Sequence, residues 1–117
     1  MASISIELQK YLLKKNVTGI FVLGDTLTAM IAAISAFNLK IKIFYIESGL
    51  RTYDYLEPWP EEGYRRLISS IADLHFCPTN ENKKNLLREN IKPKNICVCG
   101  NPAIDALIDV LKRNKKS

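Results

Sequence analysis

The chain predicts an open α/β sheet of about four parallel strands with flanking helices. Two observations carry this. Short, nearly unbroken apolar runs recur at Ile20–Leu23, Ile41–Ile46, Leu74–Cys77 and Ile96–Cys99, as expected for strands enclosed by helices rather than half-exposed ones. Between them lie segments with helical periodicity, and strict strand–helix alternation implies parallel strands joined by right-handed crossovers.

Ile4 to Leu13 reads as an amphipathic helix with Ile4, Leu8, Tyr11 and Leu12 on one stripe, ended by Asn16 and Gly19. Ile20–Leu23 stops at Gly24 and reads as a strand buried on both faces. Thr26 to Phe37 follows as a helix apolar almost all round, with Ala29, Ala32, Ala33 and Ala36 permitting close packing. Ile41–Ile46 is the second strand, interrupted only by Lys42, and a loop runs from Glu47 to Trp59. Pro60 opens a helix at a position where a missing N–H costs nothing, and Glu61 and Glu62 occupy the first turn, favoured there by the helix dipole. That helix runs to about Ile71. Leu74–Cys77 is closed by Pro78, and Thr79 caps a helix from Asn80 to Asn90. The cap rests on Thr79 alone, because the spacing Thr79-Asn80-Glu81-Asn82 misses the ideal capping box by one position. Pro93 breaks the chain before the fourth strand, and Gly100-Asn101-Pro102 turns into a last helix, Ala103 to about Arg113.

At 117 residues, with 47% hydrophobic and 25% charged side chains, the chain fits one globular domain rather than a disordered one. No apolar run is long enough to span a bilayer, and no signal-peptide core opens the chain, so a cytoplasmic address is expected. The net charge of +5 gathers partly in Lys112, Arg113, Lys115 and Lys116, which suits a solvated helix end. No aromatics interleave with these cations, which argues against a nucleic-acid surface, while an anionic ligand such as a nucleotide sugar suits the positive balance. Cys77, Cys97 and Cys99 read as reduced, buried thiols. With His75 as the lone histidine and no second pair of ligands, no metal site is expected. The first helix and first strand carry apolar surface sized for further neighbours, and a flat apolar edge needs cover. The chain is therefore expected to belong to a larger sheet or to pair with a second copy or a complementary chain.

In an open α/β sheet the loops beyond the strand ends build the ligand crevice, and Asp25, Glu47 and Glu61 fall on such loops. Each has two readings. Asp25 is a helix cap or an acid–base group; Glu61 is a dipole partner or a functional carboxylate; Glu47, directly after an apolar strand, reads as functional because an unpaired carboxylate there is costly. Glu62 reads as a dipole partner. Arg51 either pairs with Glu47 or meets a ligand, Arg65 is structural or substrate-facing, and His75 is a core group or a base. Lys83, Lys84 and Arg88 read as a solvated helix face.

Five segments together resemble the UDP-N-acetylglucosamine 2-epimerase family: Val22-Leu23-Gly24-Asp25-Thr26; Glu47-Ser48-Gly49-Leu50-Arg51-Thr52; Pro58-Trp59-Pro60-Glu61-Glu62 with Arg65; Ala72-Asp73-Leu74-His75-Phe76-Cys77-Pro78-Thr79; and Gly100-Asn101-Pro102-Ala103-Ile104-Asp105-Ala106-Leu107. The resemblance implies a two-domain, glycosyltransferase-B-like architecture of facing Rossmann-like domains. This chain, residues 1–117, corresponds to the second half of the first domain, a single partial domain. It implies inversion at C2 of a UDP-sugar, by elimination of UDP to a 2-acetamidoglucal and its re-addition, with no cofactor. A hydrolysing branch releases free sugar and UDP. By the same resemblance Asp25, Glu47 and Glu61 match the acid–base carboxylates, and Arg51, Arg65 and His75 the substrate-facing positions. A family Gly-Thr-Arg-Pro-Glu loop and a second domain holding most nucleotide contacts have no counterpart here. Tyr45 stands for a usual histidine, Ser48 for alanine, Tyr64 for asparagine and Pro102 for threonine. The chain alone is expected to be inactive: a split-enzyme piece, a fragment or a decayed copy. The rival expectation is a non-catalytic domain that associates through its open sheet edge.

Overall fold

The computed structural model describes residues 2–99. The elements are α1 (Ala2–Lys14), β1 (Gly19–Leu23), α2 (Leu27–Asn38), β2 (Lys42–Ile46), α3 (Glu61–Ile71), β3 (Leu74–Cys77), α4 (Asn80–Arg88) and β4 (Ile96–Val98). A short 3-10 turn at Pro93–Asn95 leads into β4. The expected helix from Ala103 lies outside the described residues.

All strands are parallel and their order is β1-β2-β3-β4. Each crossover therefore steps one strand in the same direction, and right-handed crossovers set α2, α3 and α4 on one face. The core forms on that face. Val22, Ile43 and Tyr45 meet Ala29, Ala33 and Ala36 of α2, with Leu12 of α1 and Ile68 of α3 closing the cluster. Ala33 and Ala36 are wholly enclosed: the alanine stripe lets α2 approach the sheet closely, as its composition predicts.

β1 departs from expectation. Its side chains alternate across the sheet, and only Val22 is buried. Phe21 and Leu23, pointing the other way, remain 36% and 58% exposed. The reason is layering: the helices pack on the face to which Val22 turns, and the face to which Phe21 and Leu23 turn carries no such cover among the described residues. Phe21 finds partial shelter against the Phe44 ring, 5.1 Å away. The cysteines differ in a similar way. Cys77, inside the sheet, is buried, and burial pushes its thiol up to about 12. Cys97, on the edge strand β4, is exposed rather than buried. All three are unpaired.

The cap of α4 is more complete than its sequence suggests. Thr79 Oγ1 accepts from the Asn82 backbone N–H at 3.2 Å, and the Asn82 side-chain oxygen accepts from the Thr79 N–H at 3.2 Å. Asn82 thus closes a reciprocal capping box in place of Glu or Gln. The same amide donates to the Gly49 carbonyl at 3.3 Å, tying the cap to the loop after β2. Two outcomes follow for urea unfolding. Thr79→Ala lowers stability by about 1 kcal/mol, the usual loss of one cap. Asn82→Ala lowers it by more, because the buried Gly49 carbonyl also loses a donor. Equal losses in the two variants would show that the loop does not depend on this amide.

Candidate active site

The rim at the C-terminal ends of β1 and β2 carries the charged groups. Leu23 and Ile46 are register partners, so Gly24-Asp25 and Glu47 leave adjacent strands side by side. Asp25 is not a cap: Thr26 caps α2, its hydroxyl accepting from the Ala29 N–H at 3.1 Å. Asp25 instead accepts from Arg65, at 3.0 Å from Nε and 2.9 Å from NH2. The Tyr45 hydroxyl donates to the Gly24 carbonyl at 2.8 Å. Burial pushes this phenol well above its ordinary range, so it remains a donor.

Glu47 stands at φ +63° and is exposed. Expecting a function because an unpaired carboxylate is costly there does not hold, since the left-handed turn lifts the side chain into solvent. Glu61 opens α3, half-buried, one turn before Arg65. Neither Glu47 nor Glu61 has a hydrogen-bond or ion-pair partner among the described residues.

Glu62 was read as a dipole partner but is enclosed completely. Its carboxylate accepts the backbone N–H groups of Thr52 at 3.1 Å and Tyr53 at 2.9 Å, and lies 3.5 Å from Arg65 NH1. Arg65 therefore bridges Asp25 on the sheet and Glu62 on its own helix. The sequence held a signal for this: Glu62, Arg65 and Ser69 share the helical stripe that turns inward beside the buried Ile68.

Arg51 does not pair with Glu47. Its side chain is fully enclosed and forks onto Glu89, Nε to Oε2 at 2.8 Å and NH2 to Oε1 at 2.9 Å, while NH1 donates to the Leu50 carbonyl. The loop turns Glu47 outward and Arg51 inward toward the end of α4. Burial tends to raise the Glu89 carboxyl, but the Arg51 hydrogen bonds and charge outweigh it and hold it below the ordinary range. Gly49 makes this passage possible. It sits at φ +94°, and a Cβ there would come within 2.5 Å of the Asn82 carbonyl oxygen. Its own carbonyl accepts from Asn85 at 2.9 Å.

His75 lies in the middle of the sheet, 1% exposed, with Nδ1 2.8 Å from Ser48 Oγ. Burial lowers it to about 4, helped by the Arg51 charge, so the ring is neutral near pH 7. Of the residues singled out in the sequence, Asp25 and Arg65 are in contact at the rim, Glu47 leaves the adjacent strand and Glu61 lies one turn before Arg65, while Arg51 and His75 are enclosed.

Solved structures with this fold confirm the architecture. The chain superposes on UDP-GlcNAc 2-epimerase from Neisseria meningitidis, solved bound to UDP-GlcNAc, with a TM-score of 0.84 and 42% identity over 97% of this chain and 31% of that one. It superposes on the enzyme from Methanocaldococcus jannaschii, solved with UDP-GlcNAc and UDP, with a TM-score of 0.82 and 40% identity over 99% of this chain and 32% of that one. Among curated relatives, the UDP-N-acetylglucosamine 2-epimerase of Salmonella borreze is 51% identical over 80% of this chain and 25% of its own length. The family model described as UDP-N-acetylglucosamine 2-epimerase matches residues 1–117. The chain belongs to the UDP-N-acetylglucosamine 2-epimerase family, and it spans about a quarter of the length of the curated relatives it matches.

The His75 environment gives a pH prediction. A base whose folded value lies near 4 and whose ordinary value is 6.5 binds its proton more readily when unfolded. Stability is then full above the ordinary value and falls as pH drops through that window, by of order 3 kcal/mol in the limit. Glu89, depressed by Arg51, adds a further loss below its ordinary value. Urea midpoints measured across the window should fall for the native chain and flatten in His75→Asn. An undiminished slope in that variant would place the titrating group elsewhere.

Proposed function

We propose that the chain is the acid–base module of a UDP-N-acetylglucosamine 2-epimerase, interconverting UDP-GlcNAc and UDP-ManNAc once the remaining nucleotide-binding segments are supplied. The observation that carries this reading is the meeting of Asp25 and Glu47 at adjacent strand ends, with Arg65 holding Asp25. The chemistry needs one group to take the C2 proton and another to return it on the opposite face while the C1–O bond to UDP breaks and re-forms. Glu47 and Glu61, without an ion pair among the described residues, suit that exchange of protons. Asp25, held by its ion pair with Arg65, suits orientation and electrostatic support of the sugar. Arg51 and His75 act by holding the loop rather than by meeting substrate. The relatives' names and their bound UDP-GlcNAc support the substrate class, and the three unpaired cysteines suit a reducing cytoplasmic setting.

A second reading concerns assembly. The open edge of β1, with Phe21 and Leu23 uncovered, suits addition of further strands from a complementary chain or a second copy. On this reading the chain is a non-catalytic interaction domain that associates through that edge.

Both readings meet in one experiment. Mixing the chain with a separately produced polypeptide carrying the other family segments should restore turnover of UDP-GlcNAc. Asp25→Asn and Glu47→Gln should each lower that turnover by roughly 10²–10⁴-fold with unchanged melting. Leu23→Asp should abolish co-elution of the two chains in gel filtration while leaving the circular dichroism of the isolated chain intact. Full turnover with Glu47→Gln removes that residue from the chemistry, and co-elution despite Leu23→Asp moves the contact away from β1.

A further inference from the structure

We infer that a second site, for the phosphate group of a small phosphorylated molecule, lies on the sheet rim opposite the carboxylates. A hollow of about 640 Å³ opens there, at the N-terminal ends of β2 and β3 and beside the segment joining α4 to β4. This volume is within the usual range for small-molecule sites.

Three lysines line it: Lys42, the first residue of β2, and Lys92 and Lys94, which flank Pro93. All three are exposed, and none forms an ion pair among the described residues. The one acid in the lining, Asp73, is already engaged, its Oδ2 accepting from the Ile43 N–H at 2.7 Å. Three cations against one carboxylate leave two positive charges uncompensated.

The second observation is independent of charge. Ser69, 2% exposed, lines the same hollow, and its hydroxyl, itself enclosed, has no hydrogen-bond partner among the described residues. A buried unpartnered hydroxyl is unusual and asks for an explanation. Its neighbour Ser70 is satisfied, donating to the Leu67 carbonyl at 2.7 Å. A rotation of the Ser69 side chain about its Cα–Cβ bond would turn this O–H toward the hollow, where a phosphate oxygen is an acceptor of the kind that would take it. Phosphate fits better than carboxylate, because its oxygens radiate in several directions and the donors come from three elements. The hollow exceeds a bare phosphate ion in size, leaving room for the molecule that carries it. The proposed epimerase chemistry uses the opposite rim, so this site stands or falls apart from it.

The test is a titration of the full isotopically labelled chain, followed by amide NMR at constant ionic strength. The probes are inorganic phosphate, glycerol 3-phosphate, acetate as a carboxylate control and polyuridylate as a polyanion control. The expected result is saturable shifts at Ser69, Asp73 and Asn95, not at Gly24 or Glu47, with glycerol 3-phosphate half-saturating at about 1 mM or below. Lys92→Gln combined with Lys94→Gln should weaken binding at least about tenfold. Ser69→Ala, close in size to the native residue, should weaken it by a smaller but measurable factor, and Asp25→Asn should leave it unchanged. The site is overturned by an absence of saturable shifts or by shifts confined to the carboxylate rim. It is equally overturned by affinities unmoved in both the lysine and serine variants, or by equal binding of acetate. Binding of polyuridylate alone would replace the small phosphorylated ligand with a nucleic-acid strand.

Discussion

The carboxylate of Glu62 is the joint on which the rim depends. It is sealed from solvent, and a buried charge survives only if partners replace its lost hydration. Here those partners are two backbone N–H groups of the loop after β2 and the guanidinium of Arg65. Each obligation fixes something else. The N–H groups set the path of the loop at Thr52 and Tyr53. The guanidinium, anchored from one side, presents its remaining donors to Asp25. The placement of a half-exposed carboxylate on the sheet is thus decided by an invisible one on the helix.

The same loop is held from below by a second buried pair. Arg51, wholly enclosed, takes both oxygens of Glu89, and bidentate geometry of this kind resists rotation as a single contact does not. Gly49 passes within contact distance of the Asn82 backbone, and the amides of Asn82 and Asn85 meet on its carbonyl. Ser48 is fixed to β3 through its N–H, which donates to the Phe76 carbonyl, and through its hydroxyl, which meets His75. Between these anchors Glu47 turns outward in a left-handed conformation. A loop fastened directly beyond one exposed carboxylate keeps that group in place without enclosing it.

Much of the fold was legible because its strands are short apolar runs punctuated by Gly24, Pro78 and Pro93, and its helices carry stripes. What failed to show was partnership. Arg51 and Glu47 are near in sequence, so their pairing was the natural expectation; the true partner, Glu89, lies on another helix and became visible only through the fold. Glu61 and Glu62 are chemically identical neighbours, and only helical phase separates the inward one from the outward one. Asn82 escaped as a capping residue because its side chain is shorter than the usual Glu or Gln. Composition also misled at β1, where apolar side chains on both faces suggested enclosure. An apolar residue records what a position tolerates, and an edge strand prepared for a neighbour looks like a strand that already has one.

That last ambiguity bears on how the two rims relate. Parallel strands place their C-terminal ends together, so the acidic residues that follow β1 and β2 fall on one side and the lysines that precede or begin strands fall on the other. This separation follows from topology alone and needs no long-range contact to maintain it. Its consequence is electrostatic. Lys42, Lys92 and Lys94 stand at the far end of the sheet from Asp25 and Glu47, and exposed charges farther apart than a Debye length of about 8 Å at physiological salt are largely screened from one another. The lysines therefore do not neutralise the carboxylates. Each rim keeps its own charge, and solvent ions rather than the sheet do the screening.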